Sequence, residues 1–187
     1  MSTSKRVLVP LASGFEEIEA VAIVDVLRRA GLEVVLAGLQ PGLVRGAHGI
    51  EVAADANLSE VDPLDFDAIV LPGGMPGTTH LMQDERVLAA VRALHAKGRV
   101  TAAVCAAPMV LAKAGVISKV AVTSHPSVRD RLGDALVCAD PRVVRSGHVF
   151  TSQGPGTAIE FALELAAELV GRAQADQLRR AMLVLAE

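Results

Sequence analysis

The sequence predicts a single α/β domain: an open, mostly parallel, doubly wound sheet with helices on both faces. Three observations carry that expectation. Short aliphatic runs alternate with longer stretches of helical periodicity, the order that gives a parallel sheet. Hydrophobic residues make up 51% of the chain, yet Trp and Tyr are absent and there are only 4 Phe. Buried parallel strands read as near-continuous aliphatic runs, so this composition suits them. Four unusual segments also fall where strands should end: Ser13-Gly14, Gly73-Gly74, Cys105 and Gly154-Pro155-Gly156. Open α/β sheets bind ligands outside the carboxyl ends of their strands.

Taken in order, Lys5 to Leu11 reads as a buried strand broken by Ser13-Gly14. Glu16 to Ala30 follows as a helix, with Ile23, Val26, Leu27 and Ala30 at helical spacing and Gly31 as its stop. Glu33 to Leu39 is the second strand, which completes a right-handed β-α-β unit. Gln40 to Ala54 carries three glycines and reads as an irregular excursion or β-ribbon. Ala68 to Leu71 is a central strand ending in Pro72-Gly73-Gly74, and Asp84 to Lys97 is a helix closed by Gly98. Arg99 to Val104 is the next strand, with Cys105 at its carboxyl end and a helix over Ala106 to Ala112. Short strands are expected at Val120 to Thr123, Leu136 to Ala139, Arg142 to Arg145 and His148 to Ser152. Gly154-Pro155-Gly156-Thr157 turns the chain into a helix over Ala158 to Val170. A last amphipathic helix runs from about Arg172 to Leu185.

The 187 residues suit one domain spanning the chain, without repeats or linkers. A net charge of -3 and mere doublets of arginine argue against a nucleic-acid or anionic-membrane partner. Val7 to Leu11, the first strongly apolar stretch, is too short for a signal sequence or a membrane span. A cytoplasmic location is the expectation. Two cysteines, Cys105 and Cys138, make no disulfide framework.

The chemistry gathers at the strand ends. Small residues flank Cys105, so a sharp strand-to-helix turn can form, and Pro108 fits the first turn of the helix. A thiol at a helix N-terminus is biased toward thiolate. A buried inert cysteine is the alternative. Glu16 and Glu17 suit a helix N-terminus, while Glu19 shares a face with Glu16 and Ile23. Apolar neighbours raise a carboxyl's pKa. Protonated, Glu19 would donate to a thiolate; deprotonated, it would be a general base. His125 is either a loop histidine or an imidazole beside Cys105 that moves a proton. Gly73-Gly74 offers backbone donors for an oxyanion. No Walker loop, dinucleotide fingerprint, Cys-x-x-Cys or His-Glu-x-x-His spacing occurs, so no cofactor and no required metal is expected.

Longer motifs then bring a resemblance into view. They are Gly14-Phe15-Glu16-Glu17-Ile18-Glu19, Val24-Asp25-Val26-Leu27-Arg28-Arg29-Ala30-Gly31, Val70-Leu71-Pro72-Gly73-Gly74, Ala102-Ala103-Val104-Cys105-Ala106-Ala107-Pro108 and Thr151-Ser152-Gln153-Gly154-Pro155-Gly156-Thr157. In this order they resemble the ThiJ/PfpI superfamily, in the branch of the Parkinson-disease protein deglycase and bacterial YajL. The resemblance implies a flavodoxin-like α/β/α sandwich and a homodimer. It places the elbow cysteine on Cys105, its protonated glutamate on Glu19, and the nearby histidine on His125. The oxyanion donors fall on Gly73, Gly74 and Ala106, and the pocket lining on Glu16, Ala107, Ser152, Gly154 and Pro155. It implies cofactor-free conversion of methylglyoxal, glyoxal and their early protein or nucleotide adducts. Redox sensing or chaperoning through oxidation of Cys105 to a sulfinate is the second implied role, and a cysteine peptidase the third. The chain departs from close relatives where His48 and Gln153 stand in place of arginines.

Overall fold

The computed structural model describes residues 4–184. Its elements are β1 (Arg6–Leu11), α1 (Glu17–Arg29), β2 (Glu33–Gly38), β3 (Leu43–Arg45), β4 (Glu51–Ala53), β5 (Ala56–Asn57), β6 (Ala68–Leu71), α2 (Gly77–Gln83), α3 (Glu85–Ala96), β7 (Val100–Val104), α4 (Pro108–Ala114), β8 (Ala121–Val122), β9 (Leu136–Val137), β10 (Val143–Ser146), β11 (Val149–Ser152), α5 (Ala158–Val170) and α6 (Arg172–Ala181). The main sheet runs β10-β11-β7-β6-β1-β2-β5. Every pairing in it is parallel except β10 with β11. The expected single-domain sandwich is therefore the observed architecture. The last helix ends at Ala181, short of the expected Leu185, which lies outside the described residues.

Alternation along the strands builds two cores. Leu8, Ile69, Leu71 and Ala103 point to one face and pack with Leu81, Val91, Leu94 and Met109 of α2, α3 and α4. Val7, Val9, Leu11, Val70, Ala102 and Val104 point to the other and pack with Ile23, Leu27, Phe161 and Leu165 of α1 and α5. Each fully buried aliphatic side chain contributes about 1.5–3 kcal/mol, which makes the strand ends a rigid platform.

Several differences from the sequence reading matter for the site. The helix after Cys105 does not begin at Ala106. Residues 105–107 form a turn, and α4 starts at Pro108. Helix α2 has no counterpart among the expected elements; Gly77, Thr78 and Thr79 are weak helix formers, and burial of Gly77, Thr78 and Leu81 supplies what propensity does not. Strand β5 was also missed, being only two residues long. The excursion after β2 is a ribbon, with β3 and β4 paired antiparallel.

Pairing of β1 with β6 covers only Val7↔Ala68 and Leu8↔Ile69. Chain order reverses between these two strands, and beyond the last pair they part. Into that gap come the residues before α1, the loop after β6 and the turn after β7.

Candidate active site

Cys105 sits at the end of β7 with φ +62, a left-handed backbone that costs a non-glycine residue about 1–3 kcal/mol. The surroundings enforce it. The Cys105 N–H donates to Ser152 O at 2.9 Å, and its carbonyl accepts from His125 N–H at 2.9 Å. The elbow is thus clamped between β11 and the segment after β8, with the side chain half-buried.

Glu19 approaches from the first turn of α1. Glu16 caps that helix, accepting from the Glu19 N–H at 2.7 Å. Glu19 is fully buried, and its Oε2 accepts from Gly73 N–H at 2.7 Å. Its Oε1 is buried with no partner in hydrogen-bond geometry, while the carboxyl couples to the Cys105 thiol. Gly73 must lack a side chain: a Cβ there would lie 2.7 Å from Cys105 Cβ and 2.8 Å from Glu19 Oε2. Gly74 adopts φ +91, with the Gly14 carbonyl 2.7 Å from where its Cβ would stand.

The donors divide differently from the sequence reading. Gly73 was expected in the oxyanion hole, but its amide is committed to Glu19. The N–H groups of Gly74 and Ala106 are the ones that face the sulfur and favour its thiolate.

Burial pushes Glu19 up to about 7, against the pull of the neighbouring Cys105 thiol and the hydrogen bond from Gly73, with the nearby Glu16 charge adding to the rise. Burial also pushes the Cys105 thiol up to about 12, and the negative charge of Glu19 is the second cause. The thiol is therefore not lowered by its backbone setting alone. A neutral Glu19 removes that charge and can donate to sulfur. The two groups therefore titrate as a coupled pair, which loses its first proton at about 7 and its second at about 12.

The other expected site residues fall around this pair. The residue His125 is exposed, its Nδ1 lies 2.8 Å from Ser127 Oγ, and its backbone N–H is the group that donates to the Cys105 carbonyl. Ala107 is buried in the elbow. Ser152 is buried as well; its Oγ donates to Arg142 O at 2.7 Å and lies 2.6 Å from Thr157 Oγ1, so the hydroxyl shapes the β11 end and does not face sulfur. A Cβ on Gly154 would lie 3.7 Å from the His125 ring, which puts Gly154 and Pro155 on that rim.

Two further residues hold the rim, and sequence reading assigned neither that part. Glu17 is buried and accepts from His48 N–H at 2.6 Å and Ile50 N–H at 3.4 Å, with His48 Nδ1 at 2.9 Å from its other oxygen. It ties the β3–β4 ribbon to α1. Gln153 Nε2 donates to the carbonyls of Ala139, Asp140 and Pro141, closing that loop beside Gly154. Neither has a sequence signal, since both partners lie on distant loops. Among the described residues, Glu16, Glu17 and His48 also converge closely enough to suit a cation. Their oxygens are already engaged with backbone amides, which marks the cluster as a structural tie. A cavity of about 390 Å³ lined by Leu11, Ser13, Leu39, His80 and Gln83 lies at the ends of β1 and β2 and does not include Cys105. No described helix is long and apolar enough to cross a membrane.

The chain matches known proteins over most of its length. The DJ-1/PfpI family profile covers residues 5–168. The chain is 42% identical over 183 residues to Protein dj-1beta of Drosophila melanogaster, covering 97% of this chain and 98% of that protein. It superposes on the crystal structure of Drosophila melanogaster DJ-1beta with a TM-score of 0.95 at 41% identity, covering 98% of this chain and 100% of that one. A Caenorhabditis elegans relative named glutathione-independent glyoxalase DJR-1.2 is 36% identical over 180 residues, covering 95% of this chain and 96% of its own length. With a family profile spanning most of the chain, near-complete coverage of relatives well above 30% identity and the same fold, the protein belongs to the DJ-1/PfpI family.

Proposed function

We propose that this protein is a cysteine-dependent, cofactor-free glyoxalase and deglycase. Its substrates would be methylglyoxal, glyoxal and their early adducts on proteins or nucleotides. The observation that carries the reading is the half-buried Cys105 thiol set against the buried Glu19 carboxyl, with the Gly74 and Ala106 amides facing the sulfur. The name of the C. elegans relative supports it.

The steps follow from that geometry. The Cys105 thiolate adds to the aldehyde carbon of methylglyoxal, forming a C–S bond. The resulting oxyanion takes hydrogen bonds from Gly74 and Ala106, and the proton held by Glu19 neutralises it. Glu19, now a carboxylate, takes the proton from the former aldehyde carbon and returns it to the neighbouring carbon, while the hydroxyl proton passes from the first oxygen to the second through the enediol, giving a thioester. His125, at the open rim, serves the exchange of protons with water. Hydrolysis of the thioester releases lactate and restores the thiol, so the net change is addition of one water. Glyoxal gives glycolate by the same route. The reaction takes place in the cytoplasm and in a homodimer. Ile18 and Val21, one turn apart on α1, stay exposed, as does Ile50, and such apolar surface suits a second copy.

The test is lactate formation from methylglyoxal without glutathione. Wild type should turn over and Cys105→Ser should not; equal rates would overturn the proposal.

A second reading, a redox sensor or redox-regulated chaperone, is favoured by the buried Glu19 carboxyl, which interacts with the Cys105 thiol and keeps one oxygen, Oε1, without a partner. Oxygens added to Cys105 would find a hydrogen-bond partner there. Mild peroxide should add two oxygens to Cys105 before Cys138, by mass spectrometry; equal oxidation of both would remove this reading. A peptidase is the weakest reading, because Ala106 occupies the place of the histidine that follows the cysteine in proteolytic relatives.

A further inference from the structure

His95 and His148 lie 53 residues apart in sequence and meet at the amino-terminal edge of the sheet, away from Cys105. His95 is in the last turn of α3, and His148 sits in the tight turn between β10 and β11. Both elements are rigid. The hairpin closes at Ser146↔Val149, and the His148 carbonyl accepts from Thr101 N–H at 2.9 Å, pinning the turn to β7. Both rings are half-buried, with one side open to solvent.

The rings are not arranged nose to nose. His95 Nδ1 and His148 Nε2 are 3.1 Å apart, while the ring centroids are 4.5 Å apart and tilted by 49°. A linear N–H···N hydrogen bond of that length would hold the centroids about 5.4 Å apart. Two imidazoles on one metal ion, at about 2.0–2.1 Å and roughly 100° to each other, put their nitrogens about 3.1 Å and their centroids about 4.8 Å apart. The observed centroid separation lies nearer the second geometry, so the rings are set at an angle with the two nitrogens in close approach.

We propose that His95 Nδ1 and His148 Nε2 form a two-imidazole binding site for a divalent transition-metal ion, with the remaining coordination positions open to water. Imidazole suits Zn²⁺, Ni²⁺ and Cu²⁺, with Cu²⁺ the strongest binder of the series. The negative end of the α3 dipole at His95 adds to the attraction for a cation. The site is independent of the chemistry at Cys105.

The experiment is a Cu²⁺ titration followed by electron paramagnetic resonance. It uses the Cys105→Ser/Cys138→Ser protein, in which no thiol can bind or reduce the ion. The tightest equivalent should carry the hyperfine pattern of two imidazole nitrogens. His148→Ala and His95→Gln should each weaken it by about tenfold or more, and His48→Ala should leave it unchanged. The two ligands come from different elements, so either variant that retains the wild-type circular dichroism decides the matter. A tightest equivalent that survives both substitutions, or that moves with His48→Ala, would leave the pair as a hydrogen-bonded contact only and overturn the proposal.

Discussion

The two cysteines of this chain share a side chain and almost nothing else. Cys105 sits on a strained elbow at φ +62, faced by two backbone amides and coupled to a buried carboxyl. Cys138 follows the two-residue strand β9, and among the described residues its thiol donates to the Leu136 carbonyl, at 3.8 Å. Reactivity in this fold is thus a property of the place. The topology reversal between β1 and β6 lets three chain segments converge on one sulfur, and no such convergence exists at β9.

The largest expected effect divides the two thiols directly. Cys105→Ser should lower lactate formation from methylglyoxal by about 100-fold or more, whereas Cys138→Ser should stay within about twofold of wild type. A comparable loss in both variants would erase the contrast.

The next effect lies in stability, and its sign is set by Glu19. Folding raises this carboxyl from 4.5 to about 7, so the folded state keeps a proton that the unfolded chain has released. Stability from this group is therefore greatest below pH 4.5 and falls as pH rises through about 7, by about 3 kcal/mol. Urea unfolding at the two ends of that range should show the fall in wild type and its absence in Glu19→Gln. An equal fall in both proteins would assign the loss elsewhere.

A smaller effect concerns the glycine that makes room for the pair. Gly73→Ala inserts a methyl group between Cys105 and Glu19 and should cost about 1–3 kcal/mol, together with much of the activity. Gly156 has open space around it, so Gly156→Ala should stay within about 0.5 kcal/mol. Similar losses at both positions would mean that close packing at Gly73 is not what the site requires.

Much of this was legible in the sequence. The aliphatic runs gave the central strands, because buried parallel strands leave so plain a composition. The small residues around Cys105 announced an elbow, since only they permit so tight a turn. The acidic opening of α1 pointed to Glu19, because its neighbours on that face are apolar. What stayed hidden depends on contacts between distant segments. Nothing local says that the amide of Gly73 turns to Glu19 while that of Gly74 turns to sulfur. Nor does local sequence reveal that Glu17 anchors His48, that His148 meets His95, or that burial makes a helix of Gly77–Gln83.

The central claim is that Cys105 and Glu19 titrate as one unit, and the pH profile of Cys105 alkylation by iodoacetamide tests it most directly. Wild type should gain reactivity through about pH 7, where the pair loses its first proton and a thiolate beside neutral Glu19 becomes accessible, and then stay level well into the alkaline range. Glu19→Ala should lose the step near neutrality and show a single rise at higher pH, set by the burial of the thiol. A step near pH 7 that persists in Glu19→Ala, or a wild-type profile with only an alkaline rise, would contradict the coupled titration.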